Sequence, residues 1–242
     1  MVDSKSKVRK YPSQKHPNQV KLLMSEFVTH DVKRFIFEKP KGYEYIPGQA
    51  TTLSIPNSKW AEDYREFSFT SLNEDYVLEF TIKAYPSHNG FTKQFHMLEP
   101  GNEVLLHEPF GTIQYEGKGV FLAGGSGITP FLAIFRHLHK TSHLDGNVLF
   151  FSNKMAKDII LEKELRQMFG DNLILTLTRD KTPGYEHERI SKELIQKYVK
   201  DLNQKFYICG PDPFVIGLKE TLEKMGVKEN DIVAESFIIS DD

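Results

Sequence analysis

Near residue 119 the hydrophobic pattern of this chain changes period, so no single sheet or helical bundle accommodates both halves. From about Val20 to Glu116 the sequence runs as short β-prone segments: VKLLMSEFV, KRFIFEKP, ATTLSIP, REFSFTS, YVLEFTIKAY and NEVLLHEPF. The turn dipeptides Pro47-Gly48, Pro56-Asn57 and Pro100-Gly101 fall at breaks between them. Six strands joined by short turns predict a closed antiparallel barrel. One helical signal interrupts this half, where Gly90 and Thr92 flank Phe91, followed at helical spacing by Phe95 and Leu98. A helix there, just before the last strand, caps the barrel and leaves free backbone N–H groups at its amino end, where an anion binds.

After Gly119 strands and helices alternate, with VFLAG, NVLFFS, LILTLT, KFYICG and DIVAESF as the strands. Thr129-Pro130, Ser191 and Asp212-Pro213 each supply a capping side chain at a helix start, and Gly226 closes the last helix. Repeated βα units build a parallel sheet with helices on both faces, and such sheets bind ligands at the carboxyl ends of their strands. The expected organisation is a flexible lead-in over residues 1–19, a barrel over 20–116 and an α/β domain over 117–242.

The length of 242 residues suits two domains of this size. No apolar run approaches the about 20 residues needed to cross a bilayer, so no membrane span is expected. The basic, polar start MVDSKSKVRKYPSQKHPNQV lacks the apolar segment of a secretory signal. With Cys209 as the single cysteine, an intramolecular disulfide is impossible and a cytoplasmic location is expected. An iron–sulfur cluster is typically held by four thiolates, so any such centre sits on another polypeptide. A net charge of −2 with interspersed signs offers no nucleic-acid footprint. Nine histidines show no metal-ligand spacing; His139 and His143 stand a helical turn apart, but the second falls beyond the expected helix end, and no metal site is expected.

GVFLAGGSGITPFLAIFRHL reads as buried strand, glycine-rich turn and apolar-faced helix. Gly124, Gly125 and Gly127 let a diphosphate approach the main chain, with the amino end of the next helix directed at it. Taken alone, such a turn is as readily a purely structural strand–helix connection. A second signal, KFYICGPDPF, sets Cys209, Gly210 and Pro211 at another strand end facing the same crevice, although an isolated cysteine there also reads as core.

In order along the chain, Arg65-Glu66-Phe67-Ser68, Gly90-Phe91-Thr92, Glu108-Pro109-Phe110-Gly111, Gly124 to Pro130 and Cys209-Gly210-Pro211 resemble the motifs of the ferredoxin–NADP reductase family, including flavodoxin reductases and oxygenase reductase modules. The resemblance spans nearly the whole chain from Val20. It implies an FAD-binding barrel followed by a Rossmann-like NAD(P)-binding domain. Arg65 then places a fork-shaped cation on the FAD diphosphate, joined by the amides and hydroxyl of Gly90, Phe91 and Thr92. Ser68 hydrogen-bonds near flavin N5. Where the family has tyrosine this chain has Phe67, which keeps ring stacking and loses a phenolic hydrogen bond; Tyr64 and Tyr85 are candidate substitutes. Gly125, Ser126, Gly127 and Thr129 contact the nicotinamide cofactor's diphosphate, and Cys209 lies beside the nicotinamide. Glu235 resembles the carboxylate near the flavin, and Phe237 either covers the flavin face or ends the core of the last strand.

The implied activity is hydride transfer from NAD(P)H to bound FAD, then single-electron delivery to a separate acceptor protein: flavodoxin, ferredoxin or an oxygenase component. Ser68 and Glu235 form the implied proton route. Lys154 and Arg179, at the ends of the second and third strands of the α/β half, stand where a carboxylate commonly holds the ribose diol and favour NADPH, with NADH the alternative. Two rival readings use the same fold: a free-flavin reductase, and a redox-inactive nucleotide-binding regulatory subunit.

Overall fold

The computed structural model describes residues 17–56, 58–61, 63–85, 90–111 and 113–237, and within it each half of the chain builds its own core. The first half contributes β1 (Asn18–Phe27), β2 (Val32–Glu38), β3 (Ala50–Ser54), β4 (Arg65–Ser68), β5 (Val77–Lys83) and β6 (Glu103–Leu106), in the order β4-β3-β6-β1-β2-β5. All pairings are antiparallel. β1 is shared: Asn18–Lys21 pair with β6, while Leu22–Phe27 pair with β2 across a register shift between Leu22 and Met24. Just past the end of β4, Phe69 bridges Phe80 of β5 and the Thr70 N–H donates to the Glu79 carbonyl at 2.8 Å. That contact closes the six strands into the barrel expected from the sequence. Phe35, Phe37, Phe69 and Phe80 fill its interior, and α1 (Phe91–Phe95) plugs it with Phe91 and Phe95. The Phe95 ring stands 5.1 Å from Phe35, edge to face. Each phenylalanine so buried contributes about 1.5–3 kcal/mol.

The second half forms a parallel sheet of β7 (Gly119–Gly124), β8 (Val148–Asn153), β9 (Leu173–Leu177), β10 (Lys205–Pro211) and β11 (Ile232–Phe237), in the order β11-β10-β7-β8-β9. Every residue of β7 is buried because both faces of the sheet are covered. Phe121, Ala123, Tyr207 and Cys209 face α2 (Thr129–Lys140) and α3 (Glu162–Phe169); Val120, Leu122, Phe206 and Ile208 face α4 (Lys192–Tyr198) and α5 (Asp212–Met225). All strands run parallel, but the order in which they are added switches sides between β7 and β10, the position at which such sheets open a crevice at their carboxyl ends.

Two of the expected helix signals hold. The Ser191 hydroxyl accepts from the Leu194 N–H at 3.2 Å, and Gly226 ends α5 with φ +93°. Two do not. Thr129 is the first residue of α2 and no cap, because a 3₁₀ turn over Gly125–Ile128 already begins the winding; its hydroxyl donates to the Ser126 carbonyl at 3.0 Å. Asp212 likewise lies inside α5, whose cap position is Pro211, and makes no capping bond.

The domains are joined by α2 lying against the β4–β5 hairpin. Arg136 on α2 donates from Nε and Nη2 to Glu164 of α3, at 2.6 and 3.0 Å, and from Nη1 to Glu79 Oε1 and the Thr70 carbonyl of the barrel, both at 2.6 Å. Four residues on, Lys140 pairs with Glu74 at 2.7 Å. Among the described residues no helix is long and apolar enough to cross a membrane.

Candidate functional site

A cleft opens where the barrel meets the carboxyl ends of β7 and β10. The barrel lines it with Glu66, Phe67 and Ser68 of β4, Thr81, Ile82 and Lys83 of β5, then Tyr85 and Thr92; the α/β domain lines it with Ser126, Gly127, Thr129, Gly210 and Pro211. Motifs separated by up to about 140 positions thus converge on one space. Thr81 and Ile82 join it without any sequence signal, since a strand pattern shows alternation but not which strand end borders a neighbouring domain.

Ser68 is 4% exposed, and its Oγ has no hydrogen-bond partner among the described residues. A buried hydroxyl left unpaired costs about 1–3 kcal/mol, and its position in the cleft wall points to a partner supplied by a ligand. Arg65 opens the same strand, ion-paired to Asp63, with its guanidinium carbon 5.9 Å from the centre of the Phe91 ring. Arg65 and the Gly90–Thr92 segment, 25 positions apart, are therefore neighbours. At Gly90 an added Cβ would meet none of the described residues within 4 Å. Phe67 packs its ring 6.2 Å from Phe91 and 5.6 Å from Phe95. Of the two tyrosines considered as substitutes, Tyr85 lines the cleft, whereas Tyr64 sits edge-on to His107 at 4.9 Å. Lys83 is engaged by Asp31 at 3.0 Å; burial of that carboxyl raises its pKa, but the ammonium outweighs this and holds it below the usual carboxylate range.

Across the cleft the glycines divide the work. Gly125 takes φ +54°, a left-handed conformation that starts the turn. Gly127 is pressed against β10: a Cβ there would stand 2.3 Å from the Cys209 carbonyl oxygen and 2.6 Å from the Gly210 Cα. Gly124 is covered by the Phe214 ring, 3.2 Å from where its Cβ would be. The two turns at the sheet's carboxyl end are thus in main-chain contact, and Pro130 follows within the buried first turn of α2. Cys209 is fully buried and packs in the core cluster with Phe121 and Ala123, and the next two residues, Gly210 and Pro211, line the cleft. The β10–β11 register places Glu235 opposite Cys209 and Phe237 opposite Pro211; the side chains of both fall outside what the structure describes.

At the far end of the sheet the Arg179 N–H donates to the Lys154 carbonyl at 2.9 Å, which sets these two exposed cations side by side at the ends of β9 and β8. Asn153 beneath them is buried with its Nδ2 unpartnered. A carboxylate that the sequence reading overlooked stands close by. Asp180 accepts from the Ala156 and Thr182 N–H groups at 3.3 and 3.1 Å, and hydrogen bonds from Thr182 and Ala156 hold its pKa below the usual range. Because it follows β9 rather than β8, counting from the second strand does not reach it.

The donor set fits a flavin dinucleotide: a buried hydroxyl in the cleft wall without a partner among the described residues, a planar cation beside the start of α1, and a glycine turn facing them. The described residues hold no group of three or more histidine, cysteine or acidic side chains arranged for a metal ion. Residues 19–115 match the family model of the oxidoreductase FAD-binding domain, and residues 121–220 that of the oxidoreductase NAD-binding domain. The chain is 25% identical over 234 residues to the ferredoxin–NAD(P)(+) reductase component of the naphthalene 1,2-dioxygenase system of Pseudomonas putida, covering 92% of this chain and 70% of that protein. It is 30% identical over 217 residues to NADH-cytochrome b5 reductase 2-B of Vanderwaltozyma polyspora, covering 80% and 70%. It spans only 57% and 60% of the length of two further oxygenase electron-transfer components. The fold superposes on a ferredoxin NADP+ reductase from Neisseria gonorrhoeae with bound FAD and NADP at a TM-score of 0.79 and 22% identity, covering 90% of this chain and 98% of that one.

Proposed function

This chain belongs to the ferredoxin–NADP reductase family of FAD- and NAD(P)-dependent oxidoreductases, and from that premise we propose that it takes reducing equivalents from a nicotinamide nucleotide and passes them singly to a separate acceptor protein. The observation that carries the reading is the unpartnered Ser68 hydroxyl, buried in the wall of a cleft whose opposite wall is the glycine turn. When bound, FAD supplies hydride acceptance and one-electron release. The chain's own residues hold and orient it. Arg65 exchanges Asp63 for the diphosphate, with Gly90, Phe91 and Thr92 adding donors at the start of α1. Ser68 would hold a hydrogen bond at the ring nitrogen that receives the hydride, and Glu235, on β11 of the other domain, would complete the proton route through it. Gly125, Ser126, Gly127 and Thr129 receive the nucleotide's diphosphate, and Gly210 and Pro211 form the wall against which the nicotinamide lies.

Lys154 and Arg179 support a 2′-phosphate and hence NADPH; Asp180 beside them is the feature that would serve NADH. The acceptor is a ferredoxin or an oxygenase component, in keeping with the names of the reductase relatives, or else a flavodoxin. One buried cysteine supports a reducing, cytoplasmic setting.

The test is to purify the protein without added flavin, record its visible spectrum and titrate NADPH and NADH separately under anaerobic conditions. Bound flavin bleached by either nucleotide is expected. Flavin lost during purification but restored as a diffusible substrate would favour a free-flavin reductase, and retained flavin that neither nucleotide bleaches would refute the enzyme reading.

A further inference from the structure

We propose that Arg136 is a positioning residue that sets the separation of the two cofactor sites, by tying the helix that begins at the nucleotide turn to the barrel hairpin that carries Ser68. The inference rests on the cleft being the flavin–nicotinamide site. α2 starts at Thr129 in the cleft wall, and Arg136 lies seven residues along it, about two turns and roughly 10 Å away. Its side chain is 16% exposed. Two donors are committed to Glu164 within its own domain, which fixes the guanidinium plane and aims Nη1 at the barrel. Nη1 meets the Thr70 carbonyl and Glu79 Oε1. Those are the residues that close the barrel, since Thr70 also donates through its N–H and its hydroxyl to Glu79, at 2.8 Å each.

What this node controls follows from the chain on either side of it. Thr70 is two residues beyond Ser68; Glu79 is two residues before Thr81, and Thr81 to Lys83 line the cleft. Both barrel segments that face the cofactor therefore pass through one arginine, whose helix begins on the opposite wall. The other ion pairs across this joint are more exposed: Lys140 and Glu74 are 56% and 47% exposed, and His30 stands 3.7 Å from Asp158 with 46% exposure. Glu79, 8% exposed, also faces Arg34 at 3.8 Å and so lies between two guanidinium groups. Hydride transfer needs both domains in register, whereas electron release from the barrel needs only the barrel.

The experiment compares FAD-loaded wild-type protein with Arg136→Met and Arg136→Lys. It follows flavin reduction at saturating NADPH or NADH in stopped flow, reoxidation by ferricyanide, flavin content, and amide hydrogen exchange of residues 68–81. Arg136→Met should cut the reduction rate at least tenfold with ferricyanide reoxidation and flavin content unchanged, and exchange at Thr70 should quicken; Arg136→Lys should recover part of the rate. A reduction rate within twofold of wild type despite faster exchange would show that the contact is only structural and overturn the proposal. So would equal loss in both half-reactions accompanied by flavin release. Should Arg136→Met not fold, Glu79→Gln keeps the shape and removes the charge; a smaller loss confined to reduction is then expected, and none would overturn the proposal. Wild-type protein that neither nucleotide reduces would instead sink the reading of the cleft, and the proposal with it.

Discussion

Substituting Gly127 by alanine tests whether main-chain contact between the two turns is required. The new Cβ would lie 2.3 Å from the Cys209 carbonyl oxygen, 2.5 Å from its carbon and 2.6 Å from the Gly210 Cα. Ordinary contact begins near 3.4 Å, so the strand must retreat by about 1.1 Å. All three atoms are backbone, and β10 is hydrogen-bonded on both sides, to β7 and to β11, so it has little freedom to yield. Overpacking costs about 1–3 kcal/mol, and a backbone obstacle puts this site at the upper end. For a chain of this length about 3 kcal/mol lowers the melting temperature by roughly 6–12 °C. Two other glycines calibrate the result. Gly125→Ala meets nothing within 4 Å but must hold φ +54°, at a cost of about 1–2 kcal/mol. Gly217→Ala, exposed inside α5 with open space around it, should stabilise by about 0.5–1 kcal/mol. Thermal unfolding of the three FAD-loaded variants by circular dichroism should rank them Gly217→Ala above wild type, then Gly125→Ala, then Gly127→Ala. If Gly127→Ala melts with wild type, the two turns are not in contact and the argument for a shared nucleotide wall fails.

Ser68→Ala removes a hydroxyl that none of the described residues satisfies; it should leave the melting temperature of flavin-stripped protein unchanged or slightly raised while slowing flavin reduction about tenfold, the worth of one hydrogen bond. A loss of stability as large as that of a core truncation would show that the hydroxyl has a protein partner. Burial pushes the His96 imidazole below its ordinary pKa despite its contact with the Ile82 carbonyl at 2.8 Å. The unfolded chain therefore binds more protons below about pH 6.5, and stability should fall as pH drops from 7 toward 5, with a shallower slope in His96→Gln. Urea midpoints at pH 7.5 and 5.5 decide it, and equal midpoints in the wild type would contradict the burial. Lys154→Glu should raise the KM for NADPH about tenfold more than that for NADH; a parallel change in both would remove Lys154 from phosphate recognition.

The barrel and the parallel sheet were legible because each produces its own period, and the glycine turn because a strand and helix flank it. What the sequence concealed depends on the third dimension. That Cys209 shares a buried cluster with Tyr207, two residues earlier on the same face of the strand, is set by packing that its motif does not show. Thr129 resembles a cap, yet the chain begins to wind four residues earlier, a start that three glycines among residues 124–127 disguise. Arg136 reads as one charge on an apolar helix, and nothing local announces that Glu79, 57 positions earlier, is its partner.

The strand order of the barrel also dictates how it is assembled. β6 is the last of its six strands to leave the ribosome, yet it lies in the middle of the order, between β3 and β1. Until Glu103–Leu106 arrive, β1–β2–β5 and β3–β4 are separate pieces with bare edges, meeting at the Phe69–Phe80 bridge and the Thr70–Glu79 hydrogen bonds. β6 acts as a keystone inserted late, since its pairings with β1 span some 85 positions. A nascent chain arrested before residue 103 should therefore expose two sticky strand edges to other chains, and the same chain released a few residues later should bury them.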